Sequence, residues 1–144
     1  MGFELIAWVA LRDPAGRVLL ARRAGTDRGD GLWNLPGGHV DDGEAAAVAA
    51  AREAGEEVGA VLDLSALRHV GVQRFDLPYP TGRARGFNFF FETTAWRGEL
   101  APGEATSELG WFAPDALPPD ILLWLPAAIH THLVERRFWV ESIG

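Results

Sequence analysis

The chain contains no cysteine. Disulfides and thiolate metal sites are therefore excluded, and redox chemistry places no constraint on its compartment. It also has no apolar run long enough to span a bilayer. Its first residues, MGFELIAWVALRDP, carry Glu4 early and lack the basic start of a signal peptide. A cytoplasmic location without a membrane partner is expected. No internal repeat, low-complexity linker or charge run divides the chain, so residues 1–144 read as a single domain with its own core. Positive charge is scarce, with 13 Lys and Arg against 20 Asp and Glu and a net charge of −7. That balance argues against a nucleic acid polymer as main partner. It leaves room for a small phosphate ligand, because a bound cation reverses the local sign. What the chain does have is apolar mass: 48% hydrophobic residues, with six Trp and eight Phe, mark a globular protein, monomer or homodimer.

The apolar residues fall into recognisable elements. LIAWVALR (5–12) and RVLLARR (17–23) are branched apolar runs split by DPAG, a strand–turn–strand signal. Residues 24–34 are rich in Gly and Asp and read as a loop. LRHVGVQRF (67–75) and RGFNFFFETTAW (85–96) read as strands around DLPYPTG, a long hairpin. LGWFA (109–113) is a further short strand. PDILLWLPAAIHTHLVERR (119–137) is apolar at helical spacing, with Pro126 kinking or restarting it. The order β-β-loop-α-β-β-β-α predicts a mixed sheet flanked by helices, of α/β or α+β type.

The helix after the loop carries the chemistry. Asp41 and Glu44 stand in the D-x-x-E relation of a capping box, which predicts a start near Asp41 or Asp42. Gly59 supplies a left-handed stop. At 3.6 residues per turn, Val48, Ala51, Gly55 and Val58 share one face, with Glu53, Glu56 and Glu57 roughly opposite. Gly55 costs about 1 kcal/mol relative to Ala in mid-helix, so it is expected to allow close approach of another backbone. Arg52 is placed to pair with Glu56 at i, i+4. One Arg does not relieve the mutual repulsion of three carboxylates. A hard divalent cation with oxygen ligands does, and the preceding LPGGHVDDG offers backbone carbonyls as well.

These residues resemble a known pattern. Gly38, five residues, Glu44, seven residues, then Arg52-Glu53-Ala54-Gly55-Glu56-Glu57-Val58-Gly59-Ala60 is similar to the Nudix box, G-x5-E-x7-R-E-U-x-E-E-x-G-U, with U a bulky apolar residue. All seven fixed letters match. A chance match is on the order of one in a billion per start position. The two U positions are both Ala, the weaker end of the pattern. Flanking GLWNLPGG (31–38) and WFAPDALP (111–118) also resemble the family.

The resemblance implies a Nudix fold, an α/β/α sandwich around a mixed sheet. It implies Mg2+- or Mn2+-dependent hydrolysis of a nucleoside diphosphate linked to another moiety. Under it, Glu56, Glu57 and the Gly38 carbonyl correspond to metal ligands. Glu53 corresponds to a ligand or the general base, Arg52 to the arginine that orients the glutamates, and Glu44 to a structural position. A base from outside the box is also compatible with the family, with Glu92, Glu104 and Glu108 as candidates for that role or for an additional ligand. The first expectation for activity is cleavage of nucleoside triphosphates to monophosphate and pyrophosphate, possible service on modified nucleotides included. Compact length favours it over ADP-ribose or nucleotide-sugar hydrolysis. A non-catalytic nucleotide sensor is the alternative from another class, and the intact box argues against it.

Substrate contacts are assigned to Arg23 at the end of strand two, to Phe90 as a stacking platform and to Asp120 as a reader of a purine edge. Arg22, Arg83 and Arg85 are further phosphate candidates. Each has a plainer structural reading: a solvated strand end for the arginines, core packing for Phe90 and a helix N-cap for Asp120. His39, His69, His130 and His132 read as structural or surface residues.

Overall fold

The computed structural model describes residues 2–26, 29–80 and 82–144, so part of the expected 24–34 loop and of the hairpin turn lies outside the described residues. In chain order the elements are β1 (Glu4–Leu11), β2 (Val18–Arg23), β3 (Trp33–Asn34), β4 (Gly37–His39), α1 (Ala46–Val58), β5 (Val61–Leu62), β6 (Arg68–Tyr79), β7 (Gly82–Thr93), β8 (Trp96–Arg97), β9 (Thr106–Phe112), α2 (Leu125–Ile129) and β10 (Trp139–Ile143). The main sheet has the order β10-β6-β7-β1-β4 and is mixed, with β1 parallel to β7 and β10 parallel to β6. A second sheet, β3-β2-β9, and a small β5-β8 pair complete the set. No helix among the described residues is long and apolar enough to cross a membrane.

From Ala7 to Leu11 β1 is buried on both faces, which is why it reads as an unbroken apolar run. Ala7, Val9 and Leu11 meet α1, whereas Trp8 and Ala10 meet α2. The same alternation divides β7: Phe89 and Phe91 face α1, and Phe90 faces α2. This α/β arrangement with a helix on each face is the expected architecture.

Several expected boundaries move. The helix α1 opens at Ala46, with Ala45 as N-cap and no side-chain cap, rather than near Asp41. Half of the capping box does form, since the Asp41 N–H donates to Glu44 Oε1 at 2.9 Å. Gly43, at φ 76°, stands between and prevents a continuous helix from Asp41. Gly59, at φ 77°, ends the helix as expected. The buried face is Ala49, Ala50, Ala54 and Val58, with Val48 and Gly55 exposed. Gly55 thus serves no close approach: a Cβ there would meet only the Ala60 carbonyl, at 3.6 Å. The close approach occurs at Gly103, where a Cβ would lie 2.3 Å from the Glu56 carbonyl.

The expected helix over 119–137 is reduced to α2 and one π-helical turn, His130–Val134. Pro126 sits in the first turn of α2, where its missing N–H costs nothing. Before it, the chain bends and turns around one bridge: Ile121 pairs with Trp33, and the Trp33 N–H donates to the Asp120 carbonyl at 2.9 Å. Asp120 therefore caps no helix. The hairpin strands run four residues further than expected on one side, to Tyr79, and β10 is an element without an expected counterpart.

Candidate active site

The antiparallel pairing of β1 with β4 presses the two glycines of PGG flat against the sheet. A Cβ on Gly37 would lie 2.3 Å from the Ala7 carbonyl, and one on Gly38 would lie 2.6 Å from Glu53 Oε1. The space a side chain would fill is taken by two carboxyl groups from α1. Glu53 rests on Gly38, and Glu57, one turn later, accepts from the Gly37 N–H at 2.9 Å. The two carboxyls are close enough for the charge of Glu53 to act on Glu57. Rather than lying opposite the core, they are half-buried at its border, while Glu56 stays exposed. The C-terminal carbonyls of α1 are held by the loop before β9: Ala101, Gly103 and Glu104 N–H groups donate to Val58, Glu57 and Glu56 at 3.1, 2.8 and 2.8 Å.

Arg52 ties the group together. Its Nε donates to Glu44 Oε2 at 2.9 Å and its Nη2 to Glu44 Oε1 at 3.1 Å, a two-pronged pair. Its Nη1 donates to Glu53 at 3.0 Å and, as expected, reaches Glu56 at 3.4 Å. Nη2 also donates to the His39 carbonyl at 3.1 Å, which fixes the guanidinium to the loop. The contact with Arg52, together with the Asp41 N–H, holds the Glu44 carboxyl down at about 2, and Glu44 in turn raises the Arg52 pKa. Glu44 is thus the anchor of Arg52.

The buried pair behaves oppositely. Burial pushes Glu57 up to about 8; the Gly37 N–H opposes this, and the charge of Glu53 adds to it. Burial also raises Glu53, against the pull of Arg52. Among the described residues no three acidic or histidine side chains converge on one point. The donor chemistry nevertheless fits a hard divalent cation: two adjacent carboxyls that resist joint ionisation, a third on the exposed side at Glu56, and glycine backbone beneath them. The Glu56 and Glu57 carboxylates and the Gly38 carbonyl would hold such an ion.

Beside Glu57 lies a small cleft of about 50 Å3, lined in part by Arg23, Asn34, Leu35 and Thr106. Arg23 thus lies in the wall of the cleft beside Glu57. Asn34 was not singled out in the sequence, where it sits inside a Gly/Asp-rich stretch. It is 2% exposed, and its Nδ2 has no partner. Its Oδ1 accepts from the Leu35 N–H at 2.8 Å, which orients the amide and leaves the Nδ2 donors unused.

Other candidates lie elsewhere. Phe90 is 4% exposed, stacked on His132 with centroids 4.7 Å apart, and so is core rather than a stacking platform for substrate. Glu92 faces α2 instead of α1, and pairs with Arg12 at 3.0 Å and Arg136 at 2.7 Å, too far committed to act as base. Asp120 is ion-paired with Arg22, which also meets Glu108 at 3.1 Å, so it is not a lone carboxylate in an apolar pocket. Glu104 is exposed and adjoins the site through its backbone. Arg83 and Arg85 are engaged at the far end of the hairpin, with Asp76 and over the Phe3 ring. His132 is buried, and its Nδ1 contacts the Arg137 carbonyl at 2.8 Å, a structural role.

One expected outcome follows from the packing of Glu53. In a Gly38→Ala protein the new methyl must displace the end of a flexible side chain, so the fold should survive while Glu53 leaves its seat. A misplacement of this kind is expected to cost about 10²-fold in turnover with a melting temperature little changed. An unaltered rate would show that the seat is irrelevant.

Comparison with known proteins agrees with this geometry. The model of the NUDIX domain matches residues 2–133. An RNA pyrophosphohydrolase of Gluconobacter oxydans is 37% identical over 89 residues, 61% of this chain and 51% of that protein. An 8-oxo-(d)GTP phosphatase of Mycolicibacterium smegmatis is 37% identical over 84 residues, 58% of this chain and 24% of its own length. The chain thus spans about half the length of the first relative and about a quarter of the second. A solved structure, the MutT NUDIX hydrolase from Burkholderia pseudomallei, superposes with a TM-score of 0.77 at 28% identity, over 90% of this chain and 98% of that one. Members of this family generally act on small nucleotide substrates with divalent metal ions. With the box on α1 and the mixed sheet beneath it, the chain belongs to the Nudix hydrolase family.

Proposed function

We propose that this chain is a cytoplasmic nucleoside triphosphate pyrophosphohydrolase, releasing a monophosphate and pyrophosphate with Mg2+ or Mn2+. The observation that carries the reading is the buried Glu53/Glu57 pair on the Gly37-Gly38 backbone, with Glu57 raised to about 8. Such a pair is stable only protonated or beside a cation. Glu56, Glu57 and the Gly38 carbonyl would hold such an ion, which when bound would supply neutralisation of phosphate oxygens and acidification of water. Glu53 then takes the water proton, its raised pKa suiting it to act as a base. Arg52 holds Glu53 in place, and Arg23 faces the substrate phosphates across the cleft. The names of both relatives support a substrate with a terminal polyphosphate. An RNA bearing a terminal triphosphate is the second reading, favoured by the Gluconobacter relative and opposed by the net charge of −7.

Asn34 sharpens the substrate. Asn34 lines the cleft and its buried Nδ2 has no partner, a donor that would suit an acceptor such as the keto oxygen of a 6-oxopurine. The test is a panel of purine, oxidised purine and pyrimidine triphosphates plus a triphosphate-ended RNA, with products separated by chromatography. Preference for 6-oxopurines over adenine is expected. In Asn34→Asp that preference should fall by roughly 10–100-fold, the scale of one charged hydrogen bond made or broken. Identical relative rates in both proteins would remove Asn34 from substrate recognition. Failure of every triphosphate would overturn the activity itself.

A further inference from the structure

The α1 side of the main sheet is covered only in part. The helix packs over Ala7, Val9, Leu11 and Phe91, towards the C-terminal ends of β1 and β7. Beyond it the sheet continues bare. Leu5 pairs with Phe87, Phe87 with Arg74, and β6 continues into β10, so residues in these rows share one face. On it lie Phe3 (61% exposed), Leu5, Trp139 (52%) and Ile143 (57%), joined by the half-buried Phe87. Their rings are continuous: Phe87 is 6.4 Å from Phe3, 6.3 Å from Trp139 and 6.2 Å from Phe89.

We propose that this aromatic half-face is a self-association surface, on which a second copy of the chain docks sheet to sheet about a two-fold axis. Charge favours a copy over another partner. The face carries Arg74 and Glu141, paired at 3.4 Å, and at its lower rim Arg83 and Asp76, paired at 2.8 Å, with Arg85 beside them. Both signs are present within it, three arginines against two carboxylates, although the chain as a whole is strongly acidic. A two-fold operation lays each sign of such a patch within reach of the other, whereas a partner of one dominant sign finds no match. Area sets the strength. Four strands about 4.8 Å apart, over about five residues at 3.3 Å, cover about 300 Å2 in projection and roughly twice that in accessible surface. Two copies then bury about 1,200 Å2, the low end for specific interfaces. The dimer is accordingly a weak one, forming in the micromolar range.

Sedimentation velocity from about 1 to 100 µM tests this. The native chain is expected to pass from 15.6 kDa to twice that mass across the range. The double variant Phe3→Lys/Trp139→Lys is expected to remain monomeric throughout, with its melting temperature kept, because both side chains are more than half exposed. Leu123→Lys, 96% exposed and outside the face, should dimerise like the native chain. Should the double variant fail to fold, Ile143→Lys alone is expected to weaken association at least tenfold. A native chain that stays monomeric at 100 µM overturns the proposal, and so does a dimer that survives in these variants. Nucleotide turnover, measured in parallel, is expected to be unchanged, which keeps this surface separate from the reading of the active site.

Discussion

In a Glu57→Gln protein, nucleoside triphosphate turnover is expected to fall by on the order of 10³-fold while the fold survives. The amide keeps the size of the side chain and can still accept from the Gly37 N–H, 2.9 Å away in the native chain. What it loses is the charge that would hold a cation against the phosphates, an electrostatic loss of the scale seen when an active site forfeits a principal stabiliser of developing charge. The same substitution changes the pH dependence of stability in a defined direction. The native carboxyl is raised from 4.5 to about 8 by folding. Its contribution is therefore complete below about pH 4.5 and is lost as pH rises through about 8. Metal-free native protein should lose on the order of 2 kcal/mol from this group between pH 5 and 9, part of the shift being shared with Glu53. That corresponds to about 4–8 °C in melting temperature for a chain of this size. The Gln variant should lack this component, so the difference between the two melting curves should grow towards alkaline pH. Cation affinity of the native protein should rise with pH up to about 8, because binding releases the Glu57 proton. Equal turnover of variant and native enzyme, or parallel pH profiles of stability, would reject the role given to Glu57.

Glu53→Gln is expected to separate base from ligand. Its carboxyl is fixed by Arg52 at 3.0 Å and by the seat on Gly38, one turn from Glu57. Loss of a general base costs roughly 10²–10⁴-fold in rate. Calorimetric cation affinity should change only a few-fold, and the acidic limb of the pH–rate profile should flatten. If affinity instead falls in step with rate, Glu53 is a ligand. Glu104 is then the next base to test, since Glu108 is tied to Arg22 at 3.1 Å.

The Nudix box was legible because its chemistry is written at fixed spacing: Arg52 and the four glutamates need only one turn of helix and the loop before it to meet. The strands of the first hairpin were legible because their apolar runs are bounded by turn residues. Features set by tertiary contact were not. The alternation of Phe87 to Phe91 identifies a strand but, with Phe90 and Phe91 buried on opposite faces, does not say that Phe90 meets His132 instead of a ligand. ILLWLP has helical spacing, yet Ile121 is drawn into a bridge with Trp33, and α2 waits for Pro126. The start of α1 depended on the left-handed Gly43, which a capping-box pattern does not register. The five residues of β10 follow Arg136, itself left-handed at φ 59°, and nothing local in so short a segment marks it as a strand. Asn34 gains its meaning only from burial beside Glu57, although its place directly before LPGG was a positional hint.

The most direct measurement is 31P NMR of the products formed from a 6-oxopurine triphosphate and Mg2+, followed by addition of excess chelator. Expected are the resonances of nucleoside monophosphate and pyrophosphate growing together, and arrest of both when the cation is removed. Appearance of nucleoside diphosphate with inorganic phosphate, or undiminished turnover in chelator, would contradict a cation-dependent pyrophosphohydrolase centred on Glu53, Glu56 and Glu57.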